Sequence, residues 1–143
     1  MEKLRRGRDR EAQKTRLQTR KQDKLLYVAF YILLNLAEDL AIERKMIKKS
    51  LIPMLTRMLY RGYADLLILV VAFLKKLSTI EENKEAMKES NILEIMTRYI
   101  PCDSPPLVTM TLRYLFNLSF DRVSNQYSLV RNVFKCTDFV GFT

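Results

Sequence analysis

Apolar residues recur along this chain at spacings of three and four, and the arrangement as a whole repeats every 41 residues. Leu25, Leu66 and Leu107 open the repeated pattern. Further apolar positions follow at the same steps: Phe30, Val71 and Leu112; Leu33, Leu74 and Leu115; and Leu36, Leu77 and Leu118. Spacings of three and four place such residues on one face of a helix. The sequence therefore predicts three equivalent long helices, near residues 25–37, 66–78 and 107–119.

Two further helices are expected between successive long helices. A short charged helix is predicted over residues 42–49, and an apolar helix begins near Ser50, with Pro53 in its first turn where proline is tolerated. Its predicted inner face consists of Leu51, Met54, Leu55, Met58 and Leu59. The next unit repeats this plan, with a short helix near 82–88 and Asn91 in the place of Ser50.

Three helices in a unit of about 41 residues are typical of armadillo repeats, whereas HEAT repeats have two. We therefore predict an all-α fold, an α-solenoid of about two full armadillo repeats plus part of a third, over residues 25–121. Such a solenoid functions by presenting a surface, so the repeat favours a binding protein over an enzyme.

Residues 1–24 differ in character, because they are almost wholly polar and hold ten Lys/Arg against four Asp/Glu, in a chain of net charge +9. Without an apolar stripe they are not expected to pack as a core helix, although most of them favour helix. We predict a basic lead-in, helical or disordered. The alternative is a module that contacts nucleic acid or acidic membrane. The absence of aromatic residues among these charges argues against nucleic acid as the partner.

Composition argues against catalysis and export. The chain has no His, which removes the usual general base and the commonest metal ligand. Cys102 and Cys136 form no Cys-x-x-Cys pair and fit free thiols in a reducing compartment. No apolar run approaches the roughly 20 residues that span a bilayer. We expect a cytoplasmic protein with no enzymatic activity, cofactor, metal, small-molecule substrate or transmembrane segment.

A candidate binding surface follows from polar residues on the long helices. Asn35, Lys76 and Asn117 lie 41 residues apart among apolar neighbours, and one turn earlier lie Tyr31, Ala72 and Arg113. We call these six residues the polar ladder and expect them to line a groove for an extended or helical peptide. Lys76 and Arg113 favour an acidic or amphipathic partner. The alternative is that Asn35 and Asn117 only cap or brace their helices.

Residues 122–143 depart from the repeat, with Thr137 and Gly141 where Leu55 and Leu59 stood. One interpretation is a degenerate last repeat. The other is that this tail is not native repeat sequence: the codons of Val123-Ser124 can match a splice donor, and a retained intron would give such an ending. Sequencing the transcript across codon 121 separates the two.

Several strings resemble a known family. LLILVVAFLKKLS (66–78), ENKEAM (82–87) and TLRYLFNLSFD (111–121) are similar to the kinesin-associated protein, the armadillo non-motor subunit of heterotrimeric kinesin. LLYVAFYILLNLAED (25–39) resembles the same family. The resemblance covers roughly residues 20–121, and members of the family are several times longer.

The resemblance implies an adaptor that joins kinesin motor tails to cargo proteins in microtubule-based transport, including transport in cilia and flagella. It implies no enzymatic activity. With fewer than three complete units, much of the surface that the family uses is expected to be missing from this chain.

Overall fold

The computed structural model describes residues 2–100 and 102–119, and each element in this part of the chain is a helix. In order the helices are α1 (Glu2–Leu36), α2 (Leu40–Lys48), α3 (Leu51–Met58), α4 (Ala64–Leu77), α5 (Glu81–Glu89), α6 (Ile92–Thr97) and α7 (Pro105–Ser119). The all-α prediction is confirmed. Both interpretations of residues 122–143 concern residues outside the described ones.

Helix α1 joins the basic lead-in to the first long helix without a break. It ends at Leu36, and Asp39 begins the next helix by accepting hydrogen bonds at Oδ1 from the backbone N–H groups of Ala41 (2.8 Å) and Ile42 (3.2 Å). These bonds satisfy N–H groups that have no partner inside α2. The side chains of residues 4–22 are exposed around the whole circumference of α1, so this part of the helix forms without a core of its own.

The repeat is also present in the backbone conformation. Ser50, between α2 and α3, has a φ of 57°, and Asn91, between α5 and α6, has a φ of 52°. Both values lie in the left-handed region that few non-glycine residues adopt. Because the two residues occupy equivalent positions in successive units, the same turn joins the short helix to the apolar helix in each unit.

The long helices lie side by side, with α4 packed against both α1 and α7. Helix α3 contacts α2, α4 and α5, so it joins the two units. The centre of the core comes from α4, whose buried residues are Leu66, Leu67, Leu69, Val70, Val71, Phe73, Leu74 and Leu77. A buried amide supports the end of this helix, since Asn83 Nδ2 donates to the Leu77 carbonyl over 2.9 Å.

Helix α3 buries a different set of residues from the predicted inner face. Ile52 is buried, whereas Met54 is 50% exposed. Leu55 and Leu59 are buried as expected. Residues 52, 55 and 59 follow helical spacing, and Met54 projects to another side of the same turn. The prediction for Met54 was wrong because an eight-residue helix offers two apolar faces, and only tertiary packing selects between them.

Helix α7 begins earlier than the expected start at Leu107. Pro105 and Pro106 both lie in its first turn. The N–H that proline lacks has no helical partner at these positions, and its fixed φ suits a helix. The last two residues of the PCDSPP segment therefore begin α7, whereas α6 ends at Thr97, before the segment starts.

Candidate functional site

The polar ladder lies on the three neighbouring long helices α1, α4 and α7. Tyr31, Asn35 and Arg113 are exposed, and Ala72, Lys76 and Asn117 are half-buried. No hydrogen bond or ion pair within residues 2–100 and 102–119 joins ladder residues of different helices. The six residues are thus accessible on adjacent helices and are not hydrogen-bonded across those helices.

Asn35 does bond to its own helix. Its Nδ2 donates to the backbone carbonyl of Tyr31 over 3.0 Å, one turn earlier. This contact is what the bracing alternative expects of the residue. The side chain stays exposed while making it, so its carbonyl Oδ1 remains open to solvent. Bracing and binding are therefore compatible at this position.

The electrostatics of the surface are positive. Lys75 and Lys76 lie in the last turn of α4, where their charges interact favourably with the carbonyl end of the helix dipole. Helix α7 carries Arg113 and contains no Asp or Glu along its sequence. The acidic residue of α4 is Asp65, at the opposite end of that helix. The ladder thus offers cations and an amide to a partner.

An aromatic group that the sequence analysis missed lies beside Tyr31. The Tyr27 and Tyr31 rings are stacked, with centroids 6.3 Å apart and planes 18° apart. Tyr63, just before α4, meets Tyr27 edge-on at 6.4 Å. Desolvation is the largest effect that raises the pKa of Tyr63, and its hydrogen bond to Asp65 is the next largest. The i, i+4 spacing of Tyr27 and Tyr31 was a usable signal, but nothing in the sequence pointed to Tyr63.

One family model matches most of the chain. The family model described as Kinesin-associated protein (KAP) matches residues 2–135. The chain belongs to the kinesin-associated protein family. The match includes the basic lead-in as well as the repeats, and it continues past Asp121 into the segment that departs from the repeat. No solved structure matches the chain.

An ion pair joins the basic lead-in, which lies within the family match, to the repeats. Asp23 is only 6% exposed. Its Oδ1 accepts a charge-assisted hydrogen bond from Arg61 Nε, and Arg61 also donates to Gln22 Oε1 over 3.3 Å. Arg61 lies in the connection between α3 and α4. Sequence reasoning missed this pair, because the two residues are 38 positions apart and share no motif.

The part of the chain that the structure describes holds no cluster of three or more His, Cys, Asp or Glu residues fit to bind a metal ion. No helix in the described ranges is long and apolar enough to cross a membrane. Tyr99 and Tyr114 are the tyrosines whose pKa burial raises most, Tyr99 to about 12. Each hydroxyl has a structural partner, the Leu59 carbonyl for Tyr99 and the Met87 sulfur for Tyr114.

Proposed function

We propose that this chain is a non-enzymatic adaptor that binds kinesin motor tails, cargo proteins or both in microtubule-based transport. The observation that carries this proposal is the match to the kinesin-associated protein family over residues 2–135. The family assignment suggests a kinesin-associated, non-motor role. A cytoplasmic, microtubule-associated location, extending to cilia and flagella, belongs to the same proposal.

The stack is proposed to be part of an armadillo solenoid. Three observations support this: the 41-residue period, the two successive short–apolar–long helix sets, and the left-handed residues Ser50 and Asn91 at equivalent places. In such a solenoid, side chains on successive long helices form one continuous surface. The polar ladder is the proposed partner surface, because its residues recur once per unit on α1, α4 and α7.

The chemistry of the ladder favours an acidic or amphipathic partner segment. Lys76 and Arg113 provide cations, and Asn35 keeps an open amide oxygen for a backbone N–H. Tyr31 adds an exposed ring, held by stacking on Tyr27. A partner with carboxylates near an extended or helical backbone matches these groups.

A binding assay with the purified tails of the two kinesin motor chains tests this proposal. The double variant Lys76→Glu/Arg113→Glu is expected to weaken binding about tenfold or more, since two attractions become repulsions. Lys45→Glu/Arg57→Glu is the matched control, with the same charge change at exposed positions on α2 and α3. Equal binding by both double variants and the unaltered chain would remove the ladder from the proposal.

The basic lead-in is the competing candidate, since α1 exposes its charges along residues 4–22. Electrostatic binding by this segment would fall steeply between about 50 and 200 mM salt. Binding at the ladder, which offers only the two cations Lys76 and Arg113, would change much less. A steep salt dependence, shared by nucleic acid and by vesicles of phosphatidylserine, would favour the lead-in as the functional element.

A further inference from the structure

Helix α1 exposes an apolar stripe on the side turned away from the core. Leu25, Val28, Ile32 and Leu36 are 72%, 53%, 52% and 46% exposed. Their spacings of three and four residues place them on one helical face. The opposite face of the same helix carries the buried Phe30. We call these four exposed residues the outer stripe.

The equivalent positions one repeat later are all buried. Leu66, Leu69, Phe73 and Leu77 of α4 are 0%, 8%, 0% and 0% exposed. In α7 the equivalent Leu107 is 3% exposed and Tyr114 is fully buried, whereas Met110 and Leu118 are half-buried. In these helices a neighbouring helix lies alongside, whereas the far side of α1 has none within the described residues. The outer stripe therefore has the form of a helix-packing face, and a helix is the element that fits it.

The same face of α1 becomes basic toward its amino terminus. Arg10, Lys14 and Lys21 are exposed, and their spacings of four and seven, followed by four to Leu25, continue the line of the outer stripe. Asp9 and Glu11 flank Arg10 in sequence, but helical spacing places both away from the line of Arg10, Lys14 and Lys21. Asp23 lies on the other side of the helix in its ion pair with Arg61. One continuous helical face thus presents an apolar half and a cationic half.

We propose that this face of α1 is a docking site for an amphipathic helix of another protein, with apolar residues over the outer stripe and carboxylates over Arg10, Lys14 and Lys21. At a rise of 1.5 Å per residue, the face from Arg10 to Leu36 is about 40 Å long, so a docking helix of about 25 residues covers it. A second copy of this chain matches the face less well: parallel pairing of α1 would bring the cationic halves together, and antiparallel pairing over the outer stripes would leave Arg10, Lys14 and Lys21 without carboxylates opposite them. The site uses none of the ladder residues, although Tyr31 and Asn35 border the outer stripe on α1.

The test uses the full chain and a fluorescein-labelled synthetic helix of about 25 residues. The probe has Leu at heptad a and d positions and Glu at the flanking positions of one half, and its counterpart has Lys in place of Glu. Fluorescence anisotropy is expected to show binding of the acidic probe, with the basic counterpart at least tenfold weaker.

Two variants locate the binding site. Leu25→Gln/Ile32→Gln should weaken binding of the acidic probe at least tenfold, without unfolding the chain, because both side chains are already exposed. Lys14→Glu/Lys21→Glu should weaken it about fivefold and flatten its salt dependence. The matched control is Arg16→Glu/Arg20→Glu, the same charge change on another face of α1, and should stay within about twofold. Circular dichroism confirms that each variant keeps its helix content.

Four results would overturn the proposal: no binding of the acidic probe, equal binding of the basic probe, equal effects of the two charge variants, or preferential binding to phosphatidylserine vesicles. Dimers of the unmixed chain in sedimentation equilibrium, abolished by Leu25→Gln/Ile32→Gln, would assign the face to a second copy and overturn it as well. The ladder variant Lys76→Glu/Arg113→Glu should leave probe binding unchanged, so failure here is distinguishable from failure of the proposed function.

Discussion

Helix α4 and the second half of α1 occupy equivalent places in successive units, but only α4 is enclosed on both sides. Phe73 is fully buried in α4, whereas Ile32, its equivalent in α1, is 52% exposed. Both helices have the apolar pattern of a core element. The difference arises because α4 lies between α1 and α7, while α1 has one such neighbour in the described chain. Tyr114 of α7, the next equivalent residue, is fully buried although α7 also packs against only one long helix, α4, in the described chain. Burial of an equivalent position therefore depends on which side of its helix the neighbour lies.

The largest expected effect compares Phe73→Ala with Ile32→Ala. Removing the buried Phe73 ring should cost about 3–5 kcal/mol, since both transfer free energy and a cavity contribute. Removing most of the exposed Ile32 side chain should cost about 0.5 kcal/mol or less. Urea denaturation followed by circular dichroism measures both. Similar losses at the two positions would mean that the outer face of α1 is covered in solution.

The same contrast between a buried and an exposed position can be tested with two hydrogen-bonding asparagines, Asn83 and Asn35. Asn83 is 1% exposed and donates to the Leu77 carbonyl, which also accepts from the Ile80 N–H over 3.2 Å. Asn83→Ala should cost about 1 kcal/mol, because a buried hydrogen bond is lost. Asn35 makes a similar bond on the exposed surface of α1, where water replaces the amide. Asn35→Ala should cost about 0.5 kcal/mol or less in the same urea assay. A larger loss for Asn35 than for Asn83 would contradict the contrast.

Tyr99 tests the coupling between the units, because its hydroxyl donates to the carbonyl of Leu59 at the end of α3. Tyr99→Phe should cost about 1 kcal/mol. Burial raises the pKa of Tyr99 to about 12, above an unfolded value near 10. The stabilising contribution is thus complete below about pH 10 and is lost as the pH rises toward 12.

Urea unfolding of the unaltered chain and of Tyr99→Phe at pH 8, 10 and 11 checks this sign. The difference in unfolding free energy between them should shrink as the pH rises. Subtracting the variant also removes the effects of Tyr63 and Tyr114, whose pKa values are raised too. A difference that grows with pH would exclude the hydrogen bond as its source.

The smallest expected effect on stability concerns Ser50 and Asn91, the two residues with a left-handed backbone conformation. Ser50→Gly should stabilise the chain by about 0.5 kcal/mol, since glycine adopts positive φ without strain, and the Ser50 side chain makes no capping bond that would be lost. Asn91→Gly should change stability less, because Asn tolerates this conformation better than Ser. Differential scanning calorimetry resolves the two midpoints. Loss of stability in both variants would argue against a shared left-handed turn.

The sequence predicted the long helices well because their apolar spacing is local information. It also placed the start of the apolar helix near Ser50 and Asn91, since the period made them equivalent, but it did not predict their left-handed conformation. It failed at Met54, where local spacing allows two faces and only the contacts of α3 with α4 and α5 choose between them. It left open whether the lead-in is helical or disordered, since residues 1–24 carry no apolar stripe, and the structure has one helix from Glu2 to Leu36.

For the candidate site, the 41-residue spacing predicted which residues form the ladder, but it did not predict what surrounds them. The spacing of Asn35, Lys76 and Asn117 was visible, whereas the Asn35 bond to Tyr31 and the aromatic group with Tyr63 depend on packing. The Asp23–Arg61 pair joins residues 38 positions apart, which no local pattern encodes. Partner binding by the ladder stays a prediction.

The buried ion pair at Asp23 has a mechanical consequence for α1. Residues 2–22 extend beyond it as a rod of about 30 Å, at 1.5 Å per residue. A tilt of about 10° at the pair would move the tip of this rod by about 5 Å. Arg61 lies in the connection between α3 and α4. A movement of that connection would therefore displace the amino-terminal end of α1 by a larger distance. The lead-in would therefore pivot at the Asp23–Arg61 pair and amplify small movements of the repeats.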